Sequence, residues 1–247
     1  MTVLTSKADI EKLRASGKII KQIFSWLEEN VRAGVSTEEL DREIEKIIVG
    51  GGGEPAFKGY KGYPAAICAS VNEVVVHGIP SDRIILKDGD IVGVDVGVRK
   101  DGFYTDAART YPVGTISAEA RRLMDVTREC LEEGVKKAIA GNRVSDISHA
   151  IESVARRESL EEVRTFVGHG IGRNLHEAPE VPNWGEPGKG PVLEEGLLLA
   201  IEPMINAGTR KIDVLEDGWT AVTKDGKLSA HFENTVMVGR ERSEIIT

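Results

Sequence analysis

The chain has 247 residues, of which 40% are hydrophobic and 29% charged, an ordinary globular balance with apolar side chains enough for a sizeable core. Its net charge of −8 gives no general affinity for phosphate backbones or anionic lipid, so neither nucleic acid nor a membrane is expected as a partner. Its two cysteines, Cys68 and Cys130, stand far apart and outside any Cys-x-x-Cys pattern, which argues against a disulfide framework or a thiolate zinc cage.

The stretch Met1 to Ile10 lacks the basic start and long apolar run of a signal peptide, and nothing later reaches the length of a membrane span. A reducing cytoplasm is the expected compartment. Ser6 with Asp9 reads as a capping box, and Ile10, Leu13, Ile19, Ile20, Ile23 and Phe24 form the stripe of a first helix. Ser36 and Glu39 repeat that start signal before Leu40, Ile44, Ile47 and Ile48. The run Gly50 to Gly53 stops this second helix. It lacks the Lys-Ser/Thr ending of a phosphate loop and reads as a flexible connector.

From about Ala65 the pattern turns to strands. Val71 and Val74 to Val76 precede a turn at Pro80, and Ile91 to Val98 has the branched residues of a buried strand. Asp101-Gly102 signals a hairpin, with Phe103 to Tyr111 as the partner strand. Helices are expected around 118–138 and 145–157, then strands over 163–167, 197–205 and 229–238. Helices then strands, twice over, suggest an α+β chain of two similar halves, read as a single domain over 1–247.

The acids sit in unusual places. Asp95 lies inside Val92-Gly-Val-Asp-Val-Gly-Val98, where an unpaired carboxylate is costly. Asp106 lies on the return strand of the same hairpin. A turn at Lys100-Asp101 sets the two face to face, and a turn at Asp101-Gly102 makes them diagonal neighbours. Either register puts both carboxylates on one face, about 5 to 8 Å apart. A cation between them relieves both the burial and the repulsion. Glu202 repeats the anomaly in Leu197 to Met204, where Pro203 favours an extended chain, and Glu233 does so in Ala230 to Met237. His169 lies in Val167-Gly-His-Gly-Ile-Gly172, whose glycines read as room for a ligand to approach. A lone acid in a strand is more often an edge or turn residue, and a lone histidine beside glycine more often structural. Four acids in four apolar strands are not independent accidents. The oxygen-rich set suits Mn, Fe(II), Co or a mixed Zn site.

The motifs Asn72-Glu-Val-Val-Val-His-Gly-Ile-Pro80, Val94-Asp-Val-Gly97, Asp106, Gly168-His-Gly-Ile-Gly172, Ile201-Glu-Pro203 and Phe232-Glu-Asn-Thr235 together resemble the type I methionine aminopeptidases, in order and across nearly the whole chain. The resemblance implies the pita-bread (creatinase/aminopeptidase) fold, two pseudo-symmetric halves with a curved antiparallel sheet and outer helices around a dinuclear metal centre. It implies removal of the initiator methionine from nascent proteins when the next residue is small. Asp95 would hold one metal, Asp106 and Glu233 would bridge both, and His169 and Glu202 would complete the other. Glu202 is then the expected proton acceptor, His77 a substrate-positioning proton donor, and His176 a donor to the carbonyl oxygen. Tyr60, Tyr63, Cys68, Leu175 and Trp219 would line the methionine pocket. Leu175 departs from the aromatic of many bacterial relatives. Gly97 departs from relatives with threonine there, which removes a possible hydrogen bond behind the metal residues. A monovalent cation (Na or K) on the backbone carbonyls of Asn72, Val74 and Ser229 is a further implication. So are monomeric action and transient ribosome contact. His149 and His231 belong to no motif and read as surface or structural residues.

Among rivals, proline-specific peptidases of the same fold usually carry an extra N-terminal domain, and Asp95 leaves no room for one. Type II relatives carry a helical insertion between the histidine and glutamate motifs, whereas the stretch from His169 to Glu202 is short and holds Pro179, Pro182, Pro187 and Pro191. A non-catalytic binding protein of this fold should have lost metal residues, and all five are present.

Overall fold

The computed structural model describes residues 1–247. The first half comprises α1 (Lys7–Asn30), α2 (Thr37–Gly50), β1 (Glu54–Pro55), β2 (Ile67–Val71), β3 (Val74–Val76), β4 (Ile91–Lys100) and β5 (Phe103–Pro112). The second opens with α3 (Ala118–Lys137) and α4 (Val144–Arg157). Short strands follow: β6 (Glu161–Glu162), β7 (Gly168–Gly170), β8 (Glu177–Val181), β9 (Leu198–Ile201), β10 (Met204–Asn206), β11 (Ile212–Val214), β12 (Ala221–Thr223), β13 (Ser229–His231), β14 (Asn234–Met237) and β15 (Glu244–Ile245).

Each half buries its helices against its own strands. A core of 19 buried residues joins Ile20, Leu27, Leu40 and Ile44 of α1 and α2 to Ile67, Val92, Val94 and Val96. A core of 25 joins Leu123, Leu131, Ile147 and Ile151 of α3 and α4 to Leu199, Ile201, Ile205 and Val236. A third cluster, with Leu13, Phe57, Phe103, Leu175 and Leu198, draws on both halves. The helix starts differ from one another. Ser36 accepts a hydrogen bond from Glu39 N–H at 3.1 Å, whereas the Ser6 hydroxyl caps nothing. The glycine run after α2 is packed tightly: a Cβ on Gly51 would meet Ile19 at 2.9 Å, and one on Gly53 would meet Val98 at 3.0 Å.

The β4–β5 hairpin turns at Asp101-Gly102, both with positive φ, and pairs Lys100 with Phe103. Gly97 stands opposite Asp106 and Asp95 opposite Ala108, so the two aspartates are diagonal neighbours. No strand spans 163–167. Arg164 turns back onto Glu162 and Glu152, donating at 2.8 and 3.3 Å, and β6 ends at Glu162. The two long strands expected near the C-terminus are each broken. β9 and β10 flank Glu202-Pro203, and β13 and β14 flank Phe232-Glu233. β9 pairs with β14 in one sheet and β10 with β13 in another. Glu202 and Glu233 thus sit where adjacent strands pass together from one sheet to the next. Pro203 has no N–H for a continuous ladder, and Phe232 N–H instead reaches Pro203 O at 3.3 Å.

Candidate active site

The sheet junction gathers the acids. Asp106, His169 and Glu233, all buried, offer ligand atoms within 4.8 Å of one another. Glu202 adds Oε1 at 3.5 Å from His169 Nε2. Asp95 lies beside Asp106 on the hairpin face. The backbone is clamped around them: Asp106 N–H donates to Thr235 Oγ1 at 2.9 Å, and that hydroxyl donates to Asp106 O at 2.8 Å. Glu233 N–H donates to Ala108 O at 2.9 Å, tying β14 to β5.

These carboxylates are short of partners. Asp95 Oδ1, Asp106 Oδ1 and Glu233 Oε1 are buried with no hydrogen bond. Burial and mutual repulsion push Asp95, Glu202 and Glu233 well above the ordinary carboxylate range, and burial pushes Asp106 up to about 7. Arg109 relieves Glu233 only through space, because its donors go to Ala108 O, Glu233 O and Asn234 Oδ1. The histidine is arranged the other way. His169 Nδ1 lies 2.9 Å from Gly170 O, which fixes the proton there and turns the Nε2 lone pair towards Glu202. Burial lowers its pKa, which keeps the ring neutral. Unsatisfied carboxylate oxygens around one imidazole lone pair fit hard or borderline divalent cations.

A cavity of about 160 Å³ opens beside Asp95. Tyr60, Tyr63, Cys68, Leu175 and Trp219 line it, together with His77, His176, Phe57 and Lys61. His176 Nδ1 lies 2.9 Å from Tyr60 Oη, its ring stacks on Tyr60, and its centroid is 4.2 Å from that of His169. Loss of water around the packed ring, and then the nearness of His169, Lys61 and His77, lower its pKa to about 3. His77 has φ +60° and stands edge-on to Phe166 at 5.1 Å, and burial lowers its pKa. Asn72, also in the left-handed region at φ +54°, accepts Ser229 N–H on its carbonyl at 2.9 Å, while Val74 begins β3 nearby.

Two local expectations are corrected. The glycines around His169 make room for backbone rather than for a ligand: a Cβ on Gly168 would meet Ala200 O at 2.5 Å, and one on Gly170 would meet Ala178 O at 2.1 Å. The space at Gly97 is taken by Phe57. His231 is not a peripheral residue. It is 4% exposed, with Nε2 at 3.9 Å from Glu202 Oε2 and 4.0 Å from Glu233 Oε2. Its position two residues before Glu233 is a signal that was available in the sequence. Phe57 and Lys61 had none beyond their nearness to Tyr60. His149 is exposed, with hydrogen bonds to Gly185 and Ser153.

The comparisons agree with this geometry. Residues 11–240 match the model of metallopeptidase family M24. The chain is 50% identical over 247 residues to a methionine aminopeptidase of Clostridium perfringens, covering all of this chain and 99% of that one. It is 45% identical over 247 residues to methionine aminopeptidase 1 of Bacillus subtilis, again covering 100% and 99%. The crystal structure of a methionine aminopeptidase from Thermotoga maritima superposes with a TM-score of 0.97 at 42% identity, covering 100% of this chain and 99% of that one. The expected pita-bread fold is the fold observed.

Proposed function

The chain belongs to metallopeptidase family M24 and, within it, to the methionine aminopeptidases, and from that premise we propose that it removes the initiator methionine from nascent proteins whose next residue is small. One observation carries this reading. Buried, unpartnered carboxylate oxygens beside a correctly turned imidazole adjoin an apolar cavity lined by tyrosine, cysteine and tryptophan.

Two divalent cations (Co, Mn, Fe(II) or Zn) would be held by Asp95, Asp106, His169, Glu202 and Glu233. When bound, such ions acidify water and polarise the peptide carbonyl. The protein groups do the rest. Glu202, with carboxylate oxygens turned into the site, takes the proton of the attacking water. The Tyr60 hydroxyl donates to His176 Nδ1, leaving the Nε2 proton to bond the carbonyl oxygen as it gains charge. His77 positions the scissile bond and donates to the leaving nitrogen. The substrate's free amine sits towards Asp95 and its thioether against Tyr63, Cys68, Leu175 and Trp219, which restricts cleavage to the first residue. Asn72, Val74 and Ser229 would hold Na or K on their carbonyls.

The same reading has residues 1–247 act as one catalytic unit, monomeric, in the cytoplasm, with transient ribosome contact. No helix is long and apolar enough to cross a membrane. The test is methionine release from Met-Ala-Ser by protein freed of metal with chelator, before and after addition of Mn or Co, with Ala-Pro-Ala in parallel. Metal-dependent cleavage of Met-Ala-Ser alone is expected. Cleavage of Ala-Pro-Ala alone would move the activity to proline-specific peptidases.

A further inference from the structure

His231 belongs neither to the proposed ligand set nor to the substrate cavity, yet its ring is held against both glutamates. Thr110 Oγ1 accepts from His231 N–H at 3.0 Å and donates to His231 O at 2.8 Å. The β10–β13 ladder sets His231 opposite Met204, close in sequence to Glu202. The backbone at His231 is thus fixed, the residue is 4% exposed, and its Nε2 has no hydrogen-bond partner.

The Glu202 carboxylate lies between two imidazoles. Oε1 faces His169 Nε2 at 3.5 Å, and Oε2 faces His231 Nε2 at 3.9 Å. His169 spends its proton on Gly170 O, so it offers Glu202 a lone pair and not a donor. Asn183 holds only the backbone, donating from Nδ2 to Glu202 O at 3.1 Å. Neither contact gives the Glu202 side chain a hydrogen-bond donor, and a donor is what would fix the orientation of its carboxylate. His231 Nε2 is placed to supply it, across a gap that a small rotation closes or one water spans.

We propose that His231 is a positioning residue for Glu202, donating from Nε2 to Oε2 so that the carboxylate is held in one orientation while it accepts the proton. This rests on the reading of Glu202 as the proton acceptor. A neutral donor at this point orients the base without adding charge to a site built to hold cations.

The test compares H231L, H231Q and H231N with E202Q and the E202Q/H231L double variant, using Met-Ala-Ser as substrate and Mn binding to metal-free protein by calorimetry. H231L should lower kcat about ten- to a hundred-fold with KM little changed. H231Q, which keeps a donor of similar reach, should recover most of that loss. The double variant should be no slower than E202Q, and Mn affinity should hold to within about ten-fold. If H231L does not fold, H231N tests the same donor, since its amide is too short to reach Glu202 and should be slow. Parent-like kcat in the Leu and Asn variants, or a loss that disappears at saturating Mn, overturns the proposal. Inactive E202Q beside normal H231L rejects this role alone, whereas active E202Q rejects the base itself.

Discussion

Phe57 occupies the space that a side chain at Gly97 would need: a Cβ there would stand 2.6 Å from Phe57 Cε1 and 2.9 Å from Ala56 Cβ. Gly97 lies opposite Asp106 in the hairpin, and Phe57 lines the cavity beside Asp95. The glycine therefore links the shape of the apolar wall to the strand that carries the acids. Gly97→Ala should destabilise the fold by about 1 to 3 kcal/mol through overpacking. It should also raise KM for Met-Ala-Ser more than it lowers kcat. Thermal melts and steady-state kinetics check this, and Gly97→Ala should cost less in an F57A background than in the parent.

Glu202→Gln should keep the fold and cost about a hundred- to ten-thousand-fold in kcat, the usual worth of a placed general base. Circular dichroism and bound-metal analysis establish that the variant is intact. Near-normal turnover in the metallated variant would remove Glu202 from the role.

Metal-free protein should lose stability as pH rises from about 6.5 to 8.5. Asp106 has its folded pKa raised from 3.8 to about 7, so the folded state binds more protons than the unfolded chain, and the stability this lends is lost as pH rises through the folded value. Asp95, Glu202 and Glu233 are shifted the same way. The buried histidines are shifted down from 6.5, so they oppose this trend only below that pH. Melting temperature against pH, with and without Mn, reads the effect. Mn should flatten the slope, and D106N should reduce it without metal.

Thr235→Val removes both hydrogen bonds that clamp Asp106 and leaves its buried N–H unpaired, a loss of about 1 to 3 kcal/mol. Metal affinity should fall with stability. Thr235→Ser, which keeps the hydroxyl, should preserve both.

The acids were legible in the sequence because a carboxylate between valines or leucines is costly unless something compensates it, and Asp95, Glu202 and Glu233 each stand in such a run. The turn was legible to within one residue: Asp101-Gly102 both carry positive φ, and that register makes Asp95 and Asp106 diagonal. The breaks at Pro203 and Phe232 were not foreseen, since apolar periodicity continues through them while the chain changes sheets. His231 was missed for a related reason. Its place two residues before Glu233 was the one signal, and its approach to Glu202 is created by the pairing of β10 with β13. Phe57 was missed because its site exists only where Gly97 lacks a side chain.

The most direct measurement titrates metal-free protein with Mn while bound metal and methionine release from Met-Ala-Ser are followed together. The account predicts no release without metal, activity rising with bound Mn up to about two ions per chain, and loss of both in D106N. Full turnover in the metal-free protein, or a chain that binds no Mn, would contradict it.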